Sequence, residues 1–328
     1  MIDLITLVKP MLSEEEITTI VEANHLQINS KNGVIYYDNI STKNLTQQKG
    51  VFIRIETNRK LKVECSLHKY YNEICGMERN NYNPFSMSDA RRSIDSLLID
   101  KSILTENLRV YNYEIGLNMN VSKDCRNYLD KMKSIGPAGQ ERPLYVNPIH
   151  VNPIHRNERA KVTGCQKVRK YFKVYDKVYE CLEKNRKVIP EGNILRIETV
   201  YKRLENCPVI DFFQPANLGR MIEMFFRDWR TVQFEKDIIT PKGTGRAKQH
   251  VCVDIINKGR DVVLKQAKER HANGSLSDWE YRNTREFIMY EWDDIKKRIS
   301  FIQSDEEKEF RELLKVNHTL LKNDDFIN

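Results

Sequence analysis

Residues 170–180 read KYFKVYDKVYE. Tyr171, Lys173, Tyr175, Lys177 and Tyr179 fall at every second position, with Phe172, Val174, Asp176, Val178 and Glu180 between them. A period of two is the period of a strand. The spacing therefore predicts a β-strand over 170–180 whose one face carries only phenols and ammonium groups. Such a face is either a solvated surface or a place for phosphate. The next run, NILRIETVYK (193–202), predicts a second strand, joined to the first by a basic link containing Pro190 and Gly192.

The charge around this stretch is uneven. From Lys161 to Arg203 there are twelve Lys or Arg against five acids, an excess of seven in a chain whose formal net charge is +8. Nearly all the excess positive charge sits in one segment, which favours a polyanionic partner, nucleic acid first, over charge spread for solubility. The chain has 328 residues, 40% hydrophobic and 30% charged, which is the balance of a folded globular protein rather than a disordered one. No apolar run approaches the roughly 20 residues of a membrane span, and MIDLITLVKPML reads as a first strand rather than a secretory signal. Seven cysteines form no CxxC pair. That excludes the common zinc patterns and predicts reduced thiols in a cytosolic protein.

Outward from the quoted stretch, GVIYYDNI (33–40), GVFIRIET (50–57) and LKVECSL (61–67) predict strands, the last two joined by the short link NRK. Residues 86–103 predict an amphipathic helix with Ser88 as its N-cap. LRVYNYEIGLNMNV (108–121) alternates strictly and predicts a strand, with Glu114, Gly116 and Asn118 on one side and Tyr113, Ile115 and Leu117 on the other. A helix over 122–134 leads into a Gly- and Pro-rich stretch with a tandem VNPIH repeat, read as a loop or extended arm. After Pro208 the periodicity turns helical, and Ser277 with Glu280 forms a capping box. The expected fold is α+β: an antiparallel sheet with flanking helices over 1–205, then a mostly helical region over 206–328.

Three strands carry an acid among apolar and aromatic neighbours: Glu64 in KVECS, Glu114 in YNYEIG and Glu198 in LRIETV. A buried carboxylate is costly unless paired or bound to a cation. Several oxygen ligands meeting at one point suit Mg²⁺ or Mn²⁺. A tyrosine hydroxyl is a poor nucleophile at neutral pH until a base, cation or metal assists it. On the face that carries Tyr175, Lys177 two residues along could lower a phenol's pKa or neutralise a phosphate, and one nucleophile is expected rather than a pair. Tyr171 and Tyr179 stand about 26 Å apart at strand rise, too far to share one phosphate. Arg169, Lys170, Lys173, Arg186 and Lys187 are the expected DNA contacts.

YFKVYDKVYE followed by LRIETVYKR resembles the R-x-Y-[DN]-K-x-x-E … R-x-E pattern of rolling-circle replication initiators, of the staphylococcal plasmid and filamentous-phage kinds. KVECSLHKYYNEICG, LRVYNYEIGLNMNV and the opening MIDLITL resemble further segments of those proteins in the same order. The resemblance implies a relaxase-like fold of the HUH superfamily. It further implies cleavage of one origin strand through a phosphotyrosine at Tyr175, leaving a 3′-hydroxyl primer, in a bacterial host cytoplasm. It implies DNA as partner, with a host helicase or polymerase acting downstream, and metal-site acids at Glu64, Glu114 and Glu198. No His-hydrophobic-His triplet is present, and Asn118 stands where that pattern has a second aspartate. His68, His150 and His155 are the histidines that could contribute a ligand, although a lone histidine near a loop seldom does. The alternative expectation is a non-catalytic DNA-binding protein, such as a repressor, on the same sheet. A tyrosine recombinase is disfavoured because Tyr281 and Tyr290 lack the Arg/His/Arg partners that chemistry needs.

Overall fold

The computed structural model describes residues 1–39, 50–146, 161–164, 169–204, 206–235 and 237–323. The VNPIH repeat, with His150 and His155, lies outside the described residues. The chain divides into two compact units, Met1–Val232 with Arg311–Asn328, and Gln233–Phe310. The boundary thus falls at 232/233, past the expected 205/206, and the chain returns to the first unit near its end.

The first unit is built on an antiparallel sheet. Its strands are β1 (Ile2–Lys9), β2 (Gln27–Lys31), β3 (Val34–Asp38), β4 (Val51–Ile55), β5 (Leu61–Ser66), β6 (Arg109–Asn120), β7 (Met132–Ile135), β8 (Arg142–Val146), β9 (Lys161–Gly164), β10 (Lys170–Asp176) and β11 (Ile194–Tyr201). They lie in the order β7-β8-β9-β10-β11-β6-β1-β5-β4-β3-β2, and neighbours pair antiparallel throughout. Its helices are α1 (Glu14–Asn24), α2 (Leu67–Ile74), α3 (Met87–Asp100), α4 (Cys125–Lys131), α5 (Lys177–Glu183), α6 (Val209–Phe212) and α7 (Pro215–Trp229), joined from Arg311 onward by the last helix, Asp305–Lys322.

Two local corrections follow from capping chemistry. The expected N-cap Ser88 lies inside α3. Ser86 caps it instead, its Oγ accepting from the Asp89 amide at 3.0 Å while the Asp89 carboxylate accepts from the Ser86 amide at 2.9 Å. The strand expected over 170–180 stops at Asp176, whose carboxylate accepts from the Tyr179 amide at 3.0 Å and starts α5. Lys177 and Tyr179 therefore leave the strand face on which alternation had put them.

One sheet face is dry. α7 presents Leu218, Met221, Ile222, Phe225, Phe226 and Trp229 at helical spacing, all buried. Trp229 meets the Phe172 ring edge-on, and its indole N–H donates to Thr199 Oγ1 at 3.0 Å. This is why 206–232 belongs with the sheet: α7 covers the face made by β10 and β11. α2 packs on β1 and β5. At its start the buried His68 ring stacks on Phe85, centroids 4.4 Å apart, with Nε2 2.6 Å from Asn83 Oδ1.

Burial pushes His68 down from 6.5 to about 3. A depressed histidine adds stability that is complete above its unfolded value and is lost as pH falls through the window from 6.5 to 3. Inside that window the loss is about 1.4 kcal/mol per pH unit. The urea midpoint of the native chain is expected to fall from pH 7 to pH 4, and His68→Gln to flatten that dependence. Parallel pH profiles for the two proteins would refute the assignment.

In the second unit, Arg246–Lys258, Arg260–Ala272, Asp278–Glu286 and Trp292–Lys296 are helical, and Asp237–Ile239 pairs with Ser300–Ile302. Cys252, Ile255, Val263, Phe287, Ile288, Trp292, Ile295 and Ile299 form its core. Gly259, at φ 91°, lets the chain turn directly from the first helix into the second. The Ser277/Glu280 capping box is formed as the spacing predicts. No helix among the described residues is long and apolar enough to cross a membrane.

Candidate functional site

The opposite face of the same strands is polar. Lys173 pairs with Glu198 and Glu198 with Gly116, so β10, β11 and β6 are aligned along one row. The adjacent row holds Tyr175, Arg196 and Asn118. Glu114 sits one step along β6. β1 contributes Asp3, where a register shift between Ile2 and Ile5 interrupts its pairing with β6. Asp3, Glu114 and Glu198 are all buried, and one carboxylate oxygen of each lies within 4.8 Å of the others.

Two cations hold this trio together. Arg196, only 2% exposed, donates from Nε to Glu198 Oε1 and from Nη2 to Asp3 Oδ2, both at 2.6 Å. Its Nη1 donates to the Asn81 carbonyl at 2.8 Å and to Asn118 Oδ1 at 2.9 Å. Lys173 Nζ donates to Glu114 Oε2 at 2.6 Å and forms an ion pair with Glu198 Oε2. Tyr175 is 6% exposed, and its hydroxyl donates to Glu198 Oε1 at 2.7 Å.

The protonation states follow from this arrangement. Burial works to raise Glu198, but Lys173 and Arg196 outweigh it and hold the carboxyl well below the usual range. Arg196 does the same for Asp3. Glu114 has too little compensation: burial and the neighbouring Glu198 charge push it up to about 8. Burial, then the Glu198 charge, raises the Tyr175 phenol well above its ordinary value. The site is a carboxylate cluster with one acid more than its cations neutralise.

Gly116 is what leaves room for the Arg196 guanidinium. A Cβ there would lie 2.9 Å from Arg196 Cζ and nearer still to Nη2. The guanidinium cannot move aside without leaving its four partners. Gly116→Ala is expected to destabilise the protein by about 1–3 kcal/mol, measured as a shift of the denaturation midpoint. An unchanged midpoint would show that the guanidinium yields freely.

The expected site residues are thus only partly brought together. Glu114, Glu198, Lys173 and Tyr175 converge. Glu64 does not: it lies on β5 opposite Thr6, with a side chain 37% exposed and paired to Lys62 at 2.9 Å. Lys177 is buried at the start of α5 and donates to Glu180 Oε2 at 2.6 Å, away from the phenol. Of the expected DNA contacts, Lys173 is spent inside the carboxylate cluster. Lys170 lies on the α7 face, in an ion pair with Asp228 and over the Tyr201 ring at 5.1 Å. Arg169, Arg186 and Lys187 are exposed. Reading the sequence missed Asp3 and Arg196. The signal for Asp3 was present, since it too is an acid in an otherwise apolar strand.

Asp3, Arg196, Gly116 and Asn118 open onto a cleft of about 720 Å³. Three carboxylate oxygens this close are a donor set for a hard divalent cation, with Lys173 occupying the same charge-balancing position. No family model matches the chain, and no curated protein is significantly similar to it.

Proposed function

We propose that the protein is a metal-dependent strand-nicking enzyme that initiates rolling-circle replication of phage or plasmid DNA. It would be built on a relaxase-like sheet, with Tyr175 as nucleophile. The observation that carries this reading is the contact between the Tyr175 hydroxyl and Glu198, a member of the Asp3/Glu114/Glu198 trio, beside a cleft open to solvent. The trio would hold Mg²⁺ or Mn²⁺, with Asp3 in the role the sequence had suggested for Glu64. The bound ion would polarise the scissile phosphate and supply the positive charge that favours a phenolate. The Tyr175 oxygen forms a bond to phosphorus and one bridging P–O bond breaks. The displaced strand leaves with a hydroxyl end. Glu198 Oε1, 2.7 Å from the phenol, is in reach of its proton.

Cleavage of supercoiled or single-stranded origin DNA is expected to require Mg²⁺ or Mn²⁺ and to stop in EDTA. Asp3→Asn and Glu114→Gln should remove it, whereas Glu64→Gln should leave it unchanged. Cleavage that survives EDTA, or that depends on Glu64 and not Asp3, would overturn the assignment of the trio. The second reading, a DNA-binding protein without catalysis, draws on the burial of Tyr175 and the neutralisation of the acids by Lys173 and Arg196. Mass spectrometry after incubation with origin single strands and Mn²⁺ separates the two. A tyrosine-linked oligonucleotide belongs only to the enzyme.

A further inference from the structure

A second cleft, of about 250 Å³, is walled by Lys69 of α2, Arg79 and Tyr82 of the loop before α3, and Lys177, Lys184, Arg186 and Lys187 in and after α5. Glu78 is the one acid in its lining. Part of this charge is answered. Glu180 takes Lys177 and Lys184, and Glu73 lies 3.5 Å from Arg79. Among the described residues, no carboxylate pairs with Lys69, Arg186 or Lys187. Lys69 is only partly exposed, so its ammonium stands in the cleft rather than in bulk water. Burial, with Arg186 and Lys177 adding to it against Asp3, lowers its pKa. Uncompensated cations gathered in a concavity repel one another and create a field that a bound anion relieves.

The cleft is also connected to the carboxylate site. Tyr82 lines both this cleft and the larger one onto which Asp3 and Arg196 open. The neighbouring Asn81 carbonyl accepts from Arg196, so the loop carrying Tyr82 is tied to the trio. The Tyr82 ring stands between the two clefts and is incompletely buried, which suits stacking against an unpaired base. A duplex, whose bases are already stacked, offers no such face.

We propose that the Lys69/Arg186/Lys187 cleft binds a backbone phosphate of a single-stranded nucleic acid whose neighbouring nucleotides pass over Tyr82 towards the carboxylate trio. This rests on the reading that the trio acts on a DNA strand, and it names how that strand is held.

The test is fluorescence anisotropy of the full chain with labelled dT12 in EDTA, titrated across salt concentrations, so that no cleavage can intervene. Lys69→Met is expected to weaken binding about tenfold and to reduce the log–log salt slope by about 0.7. Arg186→Ala/Lys187→Ala, on an exposed turn whose substitution does not touch the core, should reduce it by about 1.4. Tyr82→Ala should weaken binding about tenfold with the slope unchanged. Lys31→Met, an exposed lysine on β2, should bind as the native chain does. The inference is overturned if both basic-cleft variants bind like the native protein, if Lys31→Met loses as much as they do, or if millimolar inorganic phosphate displaces the strand completely. Native binding with no nicking in Mn²⁺ would remove the enzymatic reading and leave the cleft in place. Nicking with unaffected binding in the cleft variants would do the reverse.

Discussion

Tyr175→Phe is expected to lower the rate of strand nicking by at least about 10⁴-fold, because among the described residues no other phenol hydrogen-bonds to the carboxylate trio and residual catalysis without a nucleophile falls on that order. The substitution removes one oxygen from a ring that is otherwise packed, so the fold should tolerate it. Glu198 Oε1 keeps its bond from Arg196 Nε, and the lost hydrogen bond is worth about 1 kcal/mol. DNA affinity in EDTA should therefore stay near that of the native chain. Gel assays on supercoiled origin DNA give the rate and anisotropy gives the affinity. Full nicking by the variant would eliminate Tyr175 as the attacking group. Loss of nicking together with loss of binding would point to a structural role for the phenol.

Arg196→Met is expected to produce the largest loss of stability, about 3–5 kcal/mol, because it strips a buried cation from Asp3 and Glu198 and leaves their charges facing each other. It also frees the Asn81 carbonyl and Asn118 Oδ1. If the trio can hold a divalent ion, millimolar Mn²⁺ should restore part of the lost melting temperature in this variant. Mn²⁺ should not restore it when Asp3→Asn is added. A variant melting like the native protein would show that the guanidinium is not what balances the acids.

Much of the sheet was legible because its signal is local. The alternation in 108–121 and 193–202 gave strands to within a residue or two, and two of the three clustered acids, Glu114 and Glu198, followed from being charged in apolar strands. Asp3 was missed and Glu64 wrongly added because proximity here depends on long-range pairing. β1 lies between β5 and β6, and a shift in its register beside Ile2 determines which acids meet. Nothing in KVECS distinguishes an acid near that shift from one farther along the strands. The alternation of YDKVY was misleading for a different reason: Asp176 is a helix-capping residue, and capping ended the strand while the two-residue pattern ran on by coincidence. Lys173 was read as a DNA contact because composition cannot tell a lysine that meets phosphate from one that neutralises a carboxylate two strands away. The domain boundary was placed early because a change from strand to helix spacing does not reveal whether the new helix packs back on the old sheet, as α7 does.

The return of the chain to its first unit at Arg311 has a consequence for biosynthesis. Arg311 donates from Nη1 to the Arg230 carbonyl at 2.6 Å and also reaches the Val232 carbonyl, while His318 lies 3.1 Å from Glu223 on α7. These partners are 79 to 95 residues apart along the polypeptide, so at about 5–20 residues per second the ribosome needs about 4–19 s to supply the second set after the first. During that interval the nascent sheet unit carries α7 with this edge uncovered, and the intervening helical unit emerges whole before the last docking step. The exposure of that edge to chaperones is therefore concentrated in those seconds.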